Sequence, residues 1–419
     1  MPYLQPDASA DLPRPFVFVH VGDLHLTVAD AQNARDLDAI FDQLRSLHPS
    51  PGALVDILYL PGDIAEDGRA DQYDVLRRAL ERAPLDRIRL IAGDHDRQHG
   101  SLEAFAALFR DVMGEERVAA ARDEPPRRPL PEQYYYAEDI AGVRCLFLDL
   151  CSAGYGEAGR GLDFRLGWAQ AEWLAREVRA TLNVEGDPVR PCAVFMHTYP
   201  DDLSLPAERA DTAGLFRAGR VQLVEMGHTH YNELAHDGVS LYAAARSVGQ
   251  NEDGSVGYAV AAIEGDAASW RFKPLDQGWP FVLITSPADR RLATAPRRDD
   301  GRLEVRALVL SDEPPSAVHC RVDDGPWTEM TPPGTDRCYG ASVPYPPGSR
   351  TLSVRAALPA WDGESPRGVD TDVIEPAGPD WVPPGRRGPP GSDAFSLGRW
   401  LQKGLRGDQL GPNRNGRHW

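Results

Sequence analysis

The chain has 419 residues, 42% of them hydrophobic, and a net charge of −18, which is length enough for two or three domains with real cores. No apolar run approaches the ~18–20 residues of a membrane span, and the N-terminal MPYLQPDASADLPRP has neither the basic start nor the apolar stretch of a secretory signal, so a cytoplasmic protein with no membrane partner is expected. The acidic balance disfavours nucleic acid as a broad partner, because phosphate backbones are bound by a basic footprint.

Lys occurs only at Lys273 and Lys403, a bias that fits genome base composition better than function. The five cysteines, at positions 145, 151, 192, 320 and 338, show no CxxC spacing, so a zinc ribbon is not expected. A Cys320–Cys338 bridge is the one pairing a β domain would allow, and a cytosolic location disfavours it.

After an extension over residues 1–14, Phe16 to Val21 reads as a buried strand ending in Gly22-Asp23-Leu24-His25. Asp36 to Leu47 has helical spacing. Ala53 to Leu60 reads as a second strand, ending in Pro61-Gly62-Asp63, and Asp71 to Arg82 as a helix. Arg87 to Ile91 is a third strand, followed by Ala92-Gly93-Asp94-His95-Asp96. Ser101 to Met113 is a helix capped by Ser101. This alternation of strand and helix is the α/β signature.

Residues 114–131 read as a charged surface loop. Tyr134 to Ala137 and Val143 to Leu148 follow as strands, and the Gly-rich Cys151 to Gly167 as a lid. Gly167 to Thr181 is an amphipathic helix with Trp168 and Trp173 in the core. Cys192 to Met196 is a strand ending at His197. A helix over Glu208 to Ala218 leads to the strand Val221 to Met226, which ends in Gly227-His228-Thr229-His230. Leu241 to Ala245, Tyr258 to Ile263 and Ser269 to Phe272 read as a closing antiparallel set. This first domain spans residues 15–276.

Residues 281–376 alternate short β runs with turns, as in an immunoglobulin- or fibronectin-like β-sandwich. From 377 to 419 a locally basic, Pro/Gly-rich tail follows, with a short helix over Ser396 to Leu405.

Five blocks carry chemistry: Asp23-x-His25, Gly62-Asp63, Gly93-Asp94-His95-Asp96, His197 and Gly227-His228-x-His230. Each follows a predicted strand, and strand ends on one edge of a sheet converge. Adjacent carboxylates raise each other's pKa unless a cation sits between them. Mixed carboxylate and imidazole ligands suit Mn, Fe, Zn or Ni rather than Ca. A glycine before Asp23, Asp63, Asp94 and His228 is expected to let the backbone turn sharply and leave room for substrate. His20 reads as a core histidine, His99 as surface or near the site, and His48, His236, His319 and His418 as solvent-side. Arg160 and Arg165 lie in the lid, where a phosphate could meet them.

The ordered five-block set resembles the calcineurin-like metallophosphoesterases over about residues 15–275. The segment Gly62-Asp63-Ile64-Ala65-Glu66-Asp67-Gly68 with Gln72-Tyr73 is most similar to the class III cyclic-nucleotide phosphodiesterases and their glycerophosphodiester-cleaving relatives. Purple acid phosphatases carry a Tyr where this chain has Glu66. The resemblance implies a four-layer αββα sandwich and two divalent or trivalent transition metal ions (Fe, Mn or Zn). Asp23, His25, Asp63 and His230 would hold one ion. Asp63, bridging, with Asp94, His197 and His228 would hold the other. A bridging hydroxide would attack phosphorus in line. His95 would protonate the leaving alkoxide or stabilise the phosphoryl oxygens, with Asp96 orienting its ring.

One position departs from the family, which has Asn where Asp94 stands. Asp adds a negative charge and removes an amide donor. With two divalent ions, three carboxylates and a hydroxide the site would be neutral, where Asn would leave one positive charge. Tighter metal binding and a preference for monoanionic diesters over dianionic monoesters are expected. The function implied is hydrolysis of a small phosphodiester, such as a cyclic nucleotide. The alternatives are a repair-type DNA nuclease of the same superfamily and a catalytically weakened metal-binding interaction protein. The sequence sets no oligomeric state, and a homodimer is compatible with it.

Overall fold

The computed structural model describes residues 14–97, 100–114, 117, 123–124, 128–129, 132–154, 162–297, 301–332, 337–360, 365–382 and 394–407. Most of the N-terminal extension, His99, Arg160, His418 and the middle of the expected lid lie outside the described residues.

Two sheets face each other. The first has five strands in the order Ala267–Pro274, Gly257–Glu264, Phe16–His20, Ile57–Leu60, Ile88–Leu90. The second has seven, in the order Phe395–Ser396, Glu233–His236, Leu241–Ala244, Leu223–Met226, Cys192–Phe195, Val143–Phe147, Tyr136–Ile140. Phe16–His20, Ile57–Leu60 and Cys192–Phe195 are buried at every position, which is how strands covered on both faces read in sequence. Helices Gln32–Arg45, Ala70–Leu80 and Glu103–Met113 pack together in one outer layer, and Trp168–Arg179 packs on Pro206–Ala218 in the other. The architecture is the αββα sandwich.

The registers place the site. Phe16–His20 runs parallel to Ile57–Leu60, which runs parallel to Ile88–Leu90. Their carboxyl ends, and the turns at 21–25, 61–63 and 91–96, therefore share one edge. In the second sheet Val143–Phe147, Cys192–Phe195, Leu223–Met226 and Leu241–Ala244 are successively parallel, which brings His197 and the 227–230 turn to that sheet's own carboxyl edge.

A β-sandwich follows. Phe281–Ser286, Arg302–Leu310 and Cys338–Pro344 form one sheet, and Thr328–Glu329, Ala317–Val322, Leu352–Ala357 and Val369–Ile374 the other. Val282, Ile284, Leu303, Val305, Val318, Leu352, Val354 and Ile374 share its core. Buried ion pairs dock it: Arg337 holds Asp56 through two contacts of 3.0 Å, and Lys403 reaches Asp372 at 2.8 and 2.9 Å. Cys320 and Cys338 sit in different sheets, and all five cysteines are free thiols.

Several expectations are corrected. Residues 53–60 are not one strand: Pro51–Leu54 is a helical turn started by Pro51, whose fixed φ suits a first helical position, and the strand begins at Ile57. Leu241–Ala244 pairs in the second sheet, with the unexpected strand Glu233–His236, while Gly257–Glu264 and Ala267–Pro274 close the first. His236 is therefore buried, with Nε2 3.0 Å from the Ala293 carbonyl. Trp168 is 59% exposed, because its helix buries the Gln170, Leu174 and Val178 stripe instead. No α-helix spans Ser396 to Leu405. Phe395–Ser396 pairs with Glu233–His236, satisfying an otherwise open sheet edge, and only Leu401–Lys403 makes a 3₁₀ turn.

Candidate metal centre

The two carboxyl edges meet, and the five sequence blocks meet with them. Ligand atoms of Asp63, Asp94, His197 and His228 lie within 4.8 Å of one another, as do those of His25, Asp63 and His95. Asp63 belongs to both groups. Its Oδ2 is 3.7 Å from His25 Nε2 and 3.4 Å from His197 Nε2, while Oδ1 accepts the His95 backbone N–H at 2.9 Å. Asp94 Oδ1 lies 3.1 Å from both His197 Nε2 and His228 Nδ1. Asp23 and His230 fall outside these two tight groups. His230 Nε2 is 3.1 Å from His25 Nε2. Asp23 is fully buried beside Gly227, and neither of its carboxylate oxygens has a hydrogen-bond partner.

The local backbone is strained for this purpose. His25, Asp63, His228 and His230 all adopt left-handed conformations, with φ of 46°, 47°, 62° and 60°, each costing about 1–3 kcal/mol for a residue with a Cβ. The glycines before the ligands act differently from the expectation. Of the four, only Gly62 has positive φ. At Gly93 a Cβ would lie 2.2 Å from Asp63 Oδ1 and 2.6 Å from His197 Cε1. At Gly227 it would lie 2.3 Å from Asp23 Oδ1, and at Gly22 2.2 Å from the Arg246 carbonyl. A Cβ at these glycines would collide with Asp63, His197, Asp23 or neighbouring backbone, so each makes room for the other candidate ligands or for the chain beside it.

Asp96 is also corrected. It does not touch the His95 ring. Its oxygens accept from Gly93 N at 2.9 Å, Ala65 N at 3.1 Å and Tyr73 Oη at 2.7 Å, so it ties the 62–65 turn to the 93–96 turn. Tyr73 and Gln72 thus serve the turns: Gln72 Oε1 accepts Asp67 N at 2.9 Å. The His95 ring is set instead by the Glu66 carbonyl, 2.8 Å from Nδ1.

Sequence reasoning missed the supporting residues. Glu66 Oε2 lies 3.0 Å from His25 Nδ1, and Gln250 Nε2 donates to Glu66. Ser247 Oγ donates to the Asp23 carbonyl at 2.8 Å, and Asn33 Nδ2 donates to the Leu24 and His25 carbonyls. Phe164, in the described end of the lid, packs edge-on against His228 with centroids 5.0 Å apart. Arg165 pairs with Asp163 at 2.8 Å.

Burial and Asp94 push Asp63 up, but His197 and His25 outweigh them and hold it at about 2. Burial also opposes ionisation of Asp94, yet His228 and His197 hold it well below the usual range. Against burial, Asp63 and Asp94 raise His197 well above an ordinary histidine, and Asp94 raises His228. Burial pushes Asp23 up to about 6, and burial with His25 pushes His230 down to about 3. Against burial, Asp63 and Asp94 raise His95, which like Asp94 is only partly buried.

The sequence profile described as calcineurin-like phosphoesterase matches residues 16–232. A probable cyclic nucleotide phosphodiesterase from Rhodococcus erythropolis is 28% identical over 238 residues, covering 54% of this chain and 69% of the relative. Glycerophosphodiester phosphodiesterase GpdQ from Enterobacter lignolyticus is 29% identical over 193 residues, 44% of this chain and 57% of the relative. Among solved structures, a dimetal phosphatase from Danio rerio aligns with TM-score 0.43 at 16% identity, over 63% of this chain and 98% of its own.

Proposed function

The chain belongs to the calcineurin-like phosphoesterase family, and on that premise we propose that it is a dinuclear-metal phosphodiesterase acting on small diesters. Asp23, His25, Asp63 and His230 would hold one ion, and Asp63, Asp94, His197 and His228 the other. The donors fit such ions. The observation that carries this is Asp23: a carboxylate with no solvent exposure and no hydrogen bond on either oxygen is costly to bury unless a cation meets it. Two bound transition metal ions would acidify a water and screen the charge that develops on the phosphoryl oxygens.

The chain's own groups do the rest. The His197 Nδ1–H donates to the Pro61 carbonyl at 2.7 Å, which leaves Nε2 as the ligating atom. His95, its ring set at Nδ1 by the Glu66 carbonyl, is the group that would give a proton to the leaving alkoxide. Asp94, only partly buried, adds negative charge to the site, which would favour a monoanionic diester over a dianionic monoester. The two phosphodiesterase relatives support the substrate class. Those relatives are matched over 69% and 57% of their own length, so cyclic nucleotides and glycerophosphodiesters are the first substrates to try.

The test is metal analysis of the purified protein, with hydrolysis of bis-p-nitrophenyl phosphate and p-nitrophenyl phosphate under Mn, Fe, Zn and Ni. Metal uptake and faster diester turnover, both lost in Asp63→Asn, are expected. Protein that takes up no transition metal, or that cleaves neither ester with any of them, overturns the reading.

A further inference from the structure

A polar pair lies in the apolar core beneath the centre. His20, the last residue of Phe16–His20, and Glu225, in Leu223–Met226, come from opposite sheets and meet at 2.6 Å between Nδ1 and Oε1, both with no solvent exposure. Trp270 Nε1 donates to the same Glu225 oxygen at 3.2 Å. The surroundings are aromatic: the Tyr59 ring is 5.1 Å from His20, and Phe195 contacts Tyr59 and Phe18. His20 Nε2 and Glu225 Oε2 have no hydrogen-bond partner.

This is a poor arrangement for stability. A buried polar pair with orphaned atoms is matched or beaten by apolar side chains of similar volume. What it supplies, and apolar contacts do not, is a bond of fixed length and direction between the sheets. Its position gives that length a use. His20 stands three residues before Asp23, and Glu225 three residues before His228. The first sheet carries Asp23, His25 and Asp63, and the second carries His197, His228 and His230. The ion sites form only if the sheets stand at the correct separation.

We infer that His20 and Glu225 are positioning residues, a strut that sets the spacing between the two halves of the centre. The inference rests on the dinuclear reading above. Three variants test it: the apolar double variant H20L/E225M, Glu225→Asp, which keeps the charge but shortens the strut, and Glu225→Gln, which keeps its length and its acceptor. Thermal unfolding of the metal-free proteins and calorimetric titration with Mn2+ are measured on each.

The expected result is that H20L/E225M unfolds at or above the wild-type temperature while its metal affinity falls about 10- to 100-fold, the range of supporting-ligand mutations. Glu225→Asp falls similarly, and Glu225→Gln stays within about threefold of wild type. If the double variant does not fold, the contrast between Asp and Gln at 225 decides alone. Wild-type affinity in Glu225→Asp, or equal losses in Asp and Gln, overturns the strut. A wild type that binds no Mn2+ or Zn2+ overturns the dinuclear reading instead.

Discussion

Loading the centre with metal should expel protons, and the number follows from the geometry. His197 Nδ1 faces the Pro61 carbonyl at 2.7 Å and Nε2 faces Asp94 at 3.1 Å. Both ring nitrogens meet acceptors, so the metal-free ring is an imidazolium. His228 is raised as well, by Asp94 against burial. His230, pushed down to about 3 by burial and His25, is already neutral. A metal accepts only the neutral ring, so filling the sites at pH 7 displaces about one proton, from His197. Asp23, near 6 through burial, adds to this below neutrality. The His197 proton weakens apparent binding about tenfold, or ~1.4 kcal/mol, between pH 7 and 6. Titration calorimetry with Zn2+ in two buffers of different ionisation heat counts the protons released. The metal-free protein has the opposite trend from these rings: their folded pKa values are raised, so their stabilisation is full below the unfolded value of ~6.5 and fades as pH rises through the raised values. Affinity that is flat from pH 6 to 8, with no proton released, would refute the reasoning.

Three further outcomes are expected. Asp94→Asn should release fewer protons on loading, bind metal about tenfold more weakly, and shift turnover toward p-nitrophenyl phosphate relative to the diester; unchanged metal content and an unchanged ester ratio would count against a charge role for Asp94. Gly93→Ala, whose Cβ would lie 2.2 Å from Asp63 Oδ1, should cost about 1–3 kcal/mol in urea unfolding and abolish metal uptake. Lys403→Met strands Asp372, which is fully buried and held below the usual carboxylate range, against burial, by Lys403 and Arg271. A loss of about 3–5 kcal/mol is expected at pH 7. Asp372's depressed folded pKa means that its stabilisation is present above the unfolded value of ~4 and is lost as pH falls through the folded one, so the difference between Lys403→Met and wild type should narrow in acid.

The meeting of the candidate ligands was legible because buried strands of the FVFVH and CAVF type have visible ends, and the residues just beyond an end have one edge to occupy. Asp96 shows where such reading stops. Its neighbour in sequence, His95, is not its partner in space. The turn folds the Asp96 carboxylate back onto Gly93 N, Ala65 N and Tyr73 Oη, and no spacing rule signals that. Glu66 was visible only as the residue that is not Tyr, because its contact with His25 depends on a left-handed turn at Asp63. The strand Glu233–His236 went unread because ELAH holds two ionisable residues in four. Both are hydrogen-bonded by tertiary partners, Tyr199 Oη at 2.8 Å for Glu233 and the Ala293 carbonyl for His236. Trp168 misled in the other direction, since a large apolar side chain at the first turn of a helix can lie off the buried stripe.

The pairing of Phe395–Ser396 with Glu233–His236 bears on how the chain folds during synthesis. The seven-stranded sheet starts at Tyr136 yet gains its last member only after the whole β-sandwich has left the ribosome. Until then the outer side of Glu233–His236 is an open template for a stray strand, and Asp372 lacks its ammonium. Synthesis of residues 395–403, rather than completion of the first domain, is the moment at which both are closed, and a chain truncated after the sandwich would be prone to self-association.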